Sequence, residues 1–367
     1  MIHLQLDQGG TSTFMRCRYS VIFPAITYEH ASGSHSNSSA SGSPIGLSTM
    51  DLNQFNELIT RMQSSDNEQR TQAETIYHEI EIRTLTLSLY SLYVQQDATP
   101  ENRLMSLVLL RRLIQNQWDE FKEGLGDNLE VFLDQILRGF SDERDNGFRK
   151  KMLMVIAEMA RNTIDEDTGK QKWLGVIGLL NHCMSSKKAE DLICVASILE
   201  AVPNVFGCDY DQYMNDVKNT FALLFKDHSS EIRSDAFRSF VTYVIENDDD
   251  DRLIKELSPL MSHVVELCRY TCMSEDGGDD APLQCLAELE SVAPKLVNPY
   301  MRDFLEMCVT CVLNTEKDEA FRHSATEVLA TICECSTAVL KKRHSQSIEF
   351  IHLTGVLRTE TLGPWIA

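Results

Sequence analysis

The sequence predicts an all-α protein built as an α-solenoid, on three observations. Helical periodicity recurs from about residue 51 onward, with no sustained strand-type alternation and no Asn-Gly hairpin signal. Some helices are apolar around more than one face, as a helix sandwiched between neighbours must be. A short motif also returns in phase with the helix pairs, at multiples of roughly 40 to 45 residues. No helix pair can bury its faces alone, so such pairs stack and each touches mainly its neighbours.

The segment Asn102 to Phe121 states the pattern most plainly. Leu104, Leu107, Val108 and Leu110 cover more than one face, Arg111 and Arg112 interrupt them, and a polar turn closed by Trp118 follows. Leu129, Phe132, Leu133, Ile136 and Leu137 then keep the i, i+3, i+4, i+7, i+8 series of an amphipathic helix. Phe148 to Arg161 is apolar at Met152, Leu153, Val155, Ile156 and Ala160. Further pairs are expected over 170–183 with 187–202, 210–226 with 230–246, 252–272 with 281–293, and 299–313 with 319–335. Turn punctuation falls between them at Pro203, Gly207, Gly277, Gly278, Pro294 and Pro299.

The recurring motif is Arg-x-x-Ala, at Arg70–Ala73, Arg233–Ala236 and Arg322–Ala325, each opening the second helix of a pair. Its separations are close to four and two units of a HEAT-type repeat, which gives about seven repeats in an α-α superhelix over residues 50–340. The small alanine lets two helices approach. The arginine is expected to reach backbone or carboxylate of the next repeat, and Asp66 and Asp318 stand at the positive helix start.

Formal net charge is −21. Residues 1–49 balance Arg16 and Arg18 against Asp7 and Glu29, and 341–367 set four cations against two anions, so the stretch between carries about −23. Such a field repels nucleic acid and attracts basic proteins, although a solvated acidic surface fits the same numbers. The acidic stretches Asn247–Asp251 and Glu275–Asp280 carry the same two readings, solvated turns or the rim of a groove for a basic partner. No apolar run approaches the length of a membrane span. Residues 1–49 read as a disordered extension, Ser/Gly-rich over Ala31–Thr49, with a start at Met50 expected. Pro24 breaks the short apolar part that would otherwise mimic a secretory signal. Residues 341–367 read as a divergent tail.

Catalytic signatures are lacking: no phosphate-binding glycine loop, no HExxH, no GxSxG, and ten histidines without metal spacing. Asp165 to Gly169 starts like a calcium loop, then misses the later ligands, and reads as an acidic turn. The eleven cysteines sit mostly in apolar helical stretches, and Cys308–Cys311 lies mid-helix where core packing is the default over zinc. A protein without catalysis, metal or cofactor is the expectation.

Asn102–Phe121, with LVLLRRL followed by Trp118, resembles the second repeat of the importin-β N-terminal domain, which would span about residues 50–122. Asp66–Glu79 (DNEQRTQAETIYHE) and Phe148–Asp167 (FRKKMLMVIAEMARNTIDED) resemble the first and third repeats of the importin-5 branch. The likeness runs in order from about Leu52 to Leu340, including VAPKLVNPY at 292–300 and STAVLKKR at 336–343. The chain is thus similar to the importin-β (karyopherin-β) family. It reads as roughly the first third of a receptor, since neither the leader before Met50 nor the tail after about His344 has a counterpart.

The resemblance implies a nuclear import receptor. It would bind Ran-GTP, Phe-Gly nucleoporins and basic cargo such as ribosomal proteins or histones, with neither nucleic acid nor membrane as a partner. It would shuttle between cytoplasm and nucleus through the nuclear pore. Ran contacts in the family lie on the concave second helices, here Glu101–Gln115 and Arg149–Asn162 and more loosely Gln69–Glu81. That makes Glu101, Arg103, Arg111, Arg112, Arg149, Lys150 and Arg161 candidate Ran contacts, with a structural link between repeats equally open for Arg111 and Arg112. Phe-Gly pockets between outer helices map to 210–226 and 252–272; Phe221, Leu224 and Phe225 are candidates, with repeat core as the competing reading. A HEAT-repeat scaffold or adaptor without Ran binding is the alternative function.

Overall fold

Helix follows helix in hairpins whose starts are set by side-chain caps. The computed structural model describes residues 51–274 and 279–343. Its first pairs are α1 (Leu52–Met62) with α2 (Asn67–Glu79) and α3 (Ile82–Val94) with α4 (Pro100–Asn116). A short α5 (Trp118–Leu125) leads to α6 (Leu129–Asp142) with α7 (Asn146–Asn162), then α8 (Leu174–Ser186) with α9 (Ala189–Ala201) and α10 (Met214–Leu224) with α11 (Ser230–Ile245). Next come α12 (Asp251–Leu257) and α13 (Met261–Met273) with α14 (Ala281–Val292), the single turn α15 (Pro294–Val297), α16 (Met301–Leu313) with α17 (Glu319–Cys335), and α18 (Thr337–Arg343). The seven expected hairpins are there, and strand structure among the described residues is confined to one bridge between Ile164 and Gln171. The extension over 1–49, most of the acidic stretch Glu275–Asp280, and the tail beyond Arg343 lie outside the described residues.

Asp66, Thr99, Asp145, Ser229 and Asp318 each accept a hydrogen bond from a first-turn N–H of α2, α4, α7, α11 and α17. Each such cap contributes about 1 kcal/mol. The Arg-x-x-Ala marker falls where expected, with Ala73, Ala236 and Ala325 buried. Its arginine acts differently from the expectation. Arg70 donates to the Ser64 carbonyl at 3.1 Å and Arg233 to the Asp227 carbonyl at 2.7 Å. Arg233 also lies over the Tyr270 ring of α13 in the next hairpin, 5.4 Å from its centroid, and both arginines tie down the turn of their own hairpin. Arg149 does the same to the Glu143 carbonyl at 3.2 Å, a further instance of the device that lacks the alanine.

Four boundaries differ from the periodicity, one of them that of α10, expected from residue 210 and beginning at Met214 after a 3₁₀ stretch at Gly207–Gln212. The helix expected over 252–272 breaks into α12 and α13 around a 3₁₀ turn at Ser258–Leu260, because Pro259 has no N–H to give and crowds the preceding turn. The helix expected from residue 170 begins at Leu174; the preceding residues are extended, with Lys172 N–H on the Thr163 carbonyl at 3.0 Å. Trp118 opens α5 and stacks on Phe121 at 5.4 Å, so it does not close a turn.

The second helices α4, α7, α9, α11, α14 and α17 pack one on the next in a continuous row. The first helices form the other layer, α6 on α8, α8 on α10, α13 on α16, less closely spaced. In a bowed stack the tighter row lies inside. Burial follows the layers: Phe121, Phe132, Phe206, Phe221, Phe237, Phe240 and Phe304 are almost fully enclosed between them.

Candidate functional site

The row of second helices carries the residues singled out in the sequence, and their geometry divides them. Arg103 is nearly buried: its guanidinium lies 4.2 Å from the Phe148 ring centroid, its Nε donates to the Tyr93 carbonyl at 2.7 Å, and Glu143 is 3.6 Å away. Arg149 packs over Phe140 at 4.4 Å and donates to the carbonyls of Phe140 and Glu143. Arg161 forks onto both oxygens of Glu158 at 2.8 and 2.9 Å and reaches the Ala201 carbonyl at 2.6 Å. Arg111 places its Nε 3.6 Å from the same Glu158, so of its two readings the link between repeats is the one the geometry supports. Arg103, Arg149 and Arg161 are therefore internal clasps. Glu101, Arg112 and Lys150 are exposed, and Lys151 beside them is exposed too.

Glu143, which the sequence reading passed over, sits in one of these clasps. Burial opposes its ionisation. The backbone N–H groups of Asp145 and Arg144, the Tyr93 hydroxyl and Arg103 outweigh that and hold its carboxyl below the usual value. Tyr93 responds in the opposite sense: burial, then its hydrogen bond to Glu143 at 2.8 Å, raises its phenol.

Charge along the inner row is not uniform. The helices α4 and α7 carry Arg103, Arg111, Arg112, Arg149, Lys150, Lys151 and Arg161 against Glu101 and Glu158. The balance reverses on three later helices: Glu190, Asp191 and Glu200 on α9, Glu288 and Glu290 on α14, and Glu319, Glu327 and Glu334 against Arg322 on α17, while α11 is balanced, Glu231 and Asp235 against Arg233 and Arg238. The net negative charge is thus unevenly spread: the inner row is basic at α4 and α7, acidic at α9, α14 and α17, and balanced at α11.

On the outer layer Phe221, Leu224 and Phe225 are buried. Phe221 meets Phe240 edge-to-face at 5.4 Å, and Phe225 meets Phe240 at 5.7 Å, so they are repeat core and present no ring to solvent. The exposed apolar residue of α10 is its neighbour Leu223, which lines an open, largely polar groove of about 610 Å³ between α8 and α10, with the buried Met184 and with Asn181, Ser185, Lys187, Asp216, Asn219 and Thr220. A second groove of about 280 Å³, beside Tyr90, Tyr93 and Val94, lies between α3 and α6.

The acidic turn at 165–168 is self-contained. Asp165 accepts from the Thr168 N–H and hydroxyl at 2.9 Å and meets Lys172 at 2.6 Å. Cys308 and Cys311 are buried in α16, where Cys272 of α13 packs against them, in keeping with core packing. Among the described residues no group of three or more His, Cys, Asp or Glu side chains is placed to hold a metal ion, and no helix is long and apolar enough to cross a membrane.

A repeat family described as "IPO5-like, TPR repeats" matches residues 144–307. Solved structures of Kap121p share the fold over most of the chain. Kap121p bound to RanGTP matches 80% of this chain at 22% identity with a TM-score of 0.61. Kap121p bound to the SUMO protease Ulp1p gives 22% and 0.62, and Kap121p bound to Nup53p gives 20% and 0.61. The chain spans 27 to 28% of the length of those solved chains. The resemblance to the importin-β family read from the sequence is borne out: residues 144–307 carry importin-5-like repeats, set within an α-solenoid of karyopherin fold.

Proposed function

We propose that this chain acts as a nuclear import receptor, or the part of one that meets Ran, and that it works by binding alone, without catalysis or cofactor. The supporting observation is the charge division of the inner row, basic on α4 and α7, acidic on α9, α14 and α17 and balanced on α11, in a solenoid like those solved with RanGTP and with a nucleoporin. Two surfaces of opposite sign on one bowed row suit two different partners. Ran-GTP docks on the basic part through Glu101, Arg112 and Lys150, with Lys151 adding charge; Arg103, Arg111, Arg149 and Arg161 hold those helices in place. Basic cargo, of the class of ribosomal proteins or histones, docks on the later acidic part. Phe-Gly segments insert a ring into the groove between α8 and α10 against Leu223 and Met184, the role first given to Phe221, Leu224 and Phe225. Such a receptor shuttles between cytoplasm and nucleus through the nuclear pore.

Release follows from linkage. A solenoid bends cheaply, because each repeat contacts only its neighbours. If Ran-GTP and cargo prefer different curvatures, each lowers the other's affinity by the same factor, and a coupling of about 2.7 kcal/mol is roughly 100-fold. The test is the affinity of the purified chain for Ran loaded with a non-hydrolysable GTP analogue and for Ran-GDP. A clear preference for the GTP form is expected. Equal affinities overturn the Ran assignment and leave the same helices as a repeat scaffold or adaptor.

A further inference from the structure

Near the C-terminal end of the inner helices stands a glutamate, at Glu158, Glu200, Glu246 and Glu290, 42 to 46 residues apart. Glu158 and Glu200 face arginines. Glu158 is held by Arg161 and Arg111, and Glu200 by Arg238 at 3.4 Å and the Ser239 hydroxyl at 2.8 Å. Glu290 has no such cation. Fully enclosed on α14, it accepts one hydrogen bond, from the Ser336 hydroxyl at 2.5 Å, where Ser336 caps the end of α17. Its other oxygen, Oε2, is buried without a hydrogen-bond partner.

We propose that Glu290 makes the α14–α17 joint proton-sensitive: protonated, the joint is closed and stable; ionised, it loosens. An ionised carboxylate with one hydroxyl for company is costly to enclose, whereas a neutral acid accepts the same bond and satisfies more of itself. The cations of α11, α13 and α15 with a recorded partner are engaged elsewhere, Arg269 of α13 with Asp303 among them. On α11, Arg238 pairs with Glu200 and Asp235; on α13, His263 lies 3.7 Å from Glu266; on α15, Lys295 meets Asp251 at 2.5 Å. On α17 the Cys335 thiol is raised by burial first and then by Glu290, and Glu334 adds to it. On α14 itself Glu288 is raised by burial. None of these supplies a counter-charge.

Burial pushes the Glu290 carboxyl up to about 7, with Ser336 pulling the other way. The sign follows from linkage. The folded joint binds its proton more tightly than the unfolded chain, whose carboxyl titrates near 4.5, so stability is fully present below the unfolded value and falls as pH rises toward 7. A difference of that size weakens the closed joint by up to about 300-fold across the whole window, and by somewhat under about 100-fold between pH 5 and pH 8.

This inference does not depend on the transport reading, and its test uses no partner. Hydrogen–deuterium exchange of peptides from 281–292 and 319–335 in the full chain, corrected for intrinsic rates, is followed in a pH series from 5 to 9 and compared with that of peptides from α4 and α7. In the native chain, protection of the α14–α17 joint is expected to fall by about 10- to 100-fold relative to α4 and α7. Glu290→Gln should abolish that differential loss. Ser336→Ala, which removes the only donor, should move the loss to higher pH. A differential loss that persists in Glu290→Gln, or a midpoint unmoved in Ser336→Ala, overturns the assignment; should Glu290→Gln fail to fold, the Ser336→Ala midpoint decides alone.

Discussion

Replacing Arg161 by alanine tests whether the arginines of the inner row are clasps or contacts. The side chain is largely buried, at 13% exposure, and its partner Glu158 is at 3%. Truncation removes two charge-assisted hydrogen bonds to Glu158 and the bond to the Ala201 carbonyl. It leaves an enclosed carboxylate with only the more distant Arg111 at 3.6 Å, itself 42% exposed. Removing one partner of a buried pair costs about 3 to 5 kcal/mol, most of it the penalty of the stranded charge. An exposed pair would cost about 1 kcal/mol at most.

The measurement is a double-mutant cycle by urea denaturation with Arg161→Ala, Glu158→Ala and the double variant. If the stranded charge dominates, the double variant is less destabilised than the sum of the singles by about 2 kcal/mol or more. A loss below about 1 kcal/mol for Arg161→Ala, or additivity around the cycle, refutes the reasoning and returns Arg161 to the pool of residues available to a partner.

Other outcomes follow from the same geometry. Arg112→Glu with Lys150→Glu should leave thermal stability almost unchanged, since both side chains are exposed, while lowering Ran-GTP affinity about tenfold in a binding titration. Lys187 ends α8 in the left-handed region at φ 55°, so Lys187→Gly should raise stability by about 1 kcal/mol in thermal unfolding. Glu143 is lowered in the folded state, so its contribution is present above the unfolded value near 4.5 and disappears as acid protonates it; Glu143→Gln should flatten that acid limb in a pH series of unfolding midpoints. Raising salt from 0.05 to about 0.5 M should lower exchange protection of α10 to α16 more than that of α4 to α9, because their inter-repeat ion pairs are the exposed ones.

The hairpins were legible because apolar spacing and punctuation act locally. Residues 129–137 contain their own periodicity, and Asp145 caps α7 whatever lies beyond. The boundaries that moved depend on tertiary or steric detail: a bridge between Ile164 and Gln171 holds 170–173 extended, and Pro259 outweighs the apolar residues around it. The roles of the arginines were illegible for a different reason. Sequence places Arg161 and Arg103 on the right face, but their partners at Ala201 and Glu143 lie 40 residues further on, in the next hairpin. The same step separates Ser239 from Glu200 at 39 and Ser336 from Glu290 at 46. Polar pairs one repeat apart are therefore a readable signal, and searching for them at the period of the Arg-x-x-Ala marker would have found Glu143, Glu158 and Glu200.

Those pairs also divide the solenoid mechanically. Between the second and fourth hairpins the links are enclosed: Arg103 with Glu143 and Tyr93, Arg161 with Glu158 and the Ala201 carbonyl. From the fifth hairpin onward they are mostly surface pairs, Lys218–Glu256 at 2.9 Å, Arg269–Asp303 at 2.9 Å and Lys295–Asp251 at 2.5 Å. Exposed pairs contribute about 0 to 1 kcal/mol each and are screened by salt, whereas a buried clasp fixes geometry. Judged by the ion pairs alone, bending is expected to concentrate over α10 to α17, where they are exposed, with the α4–α7–α9 block turning as a unit. A ligand bound to the basic block and another bound to the acidic stretch would then meet across the compliant part. That is the arrangement in which two sites far apart on one chain influence each other through curvature alone, without any shared side chain.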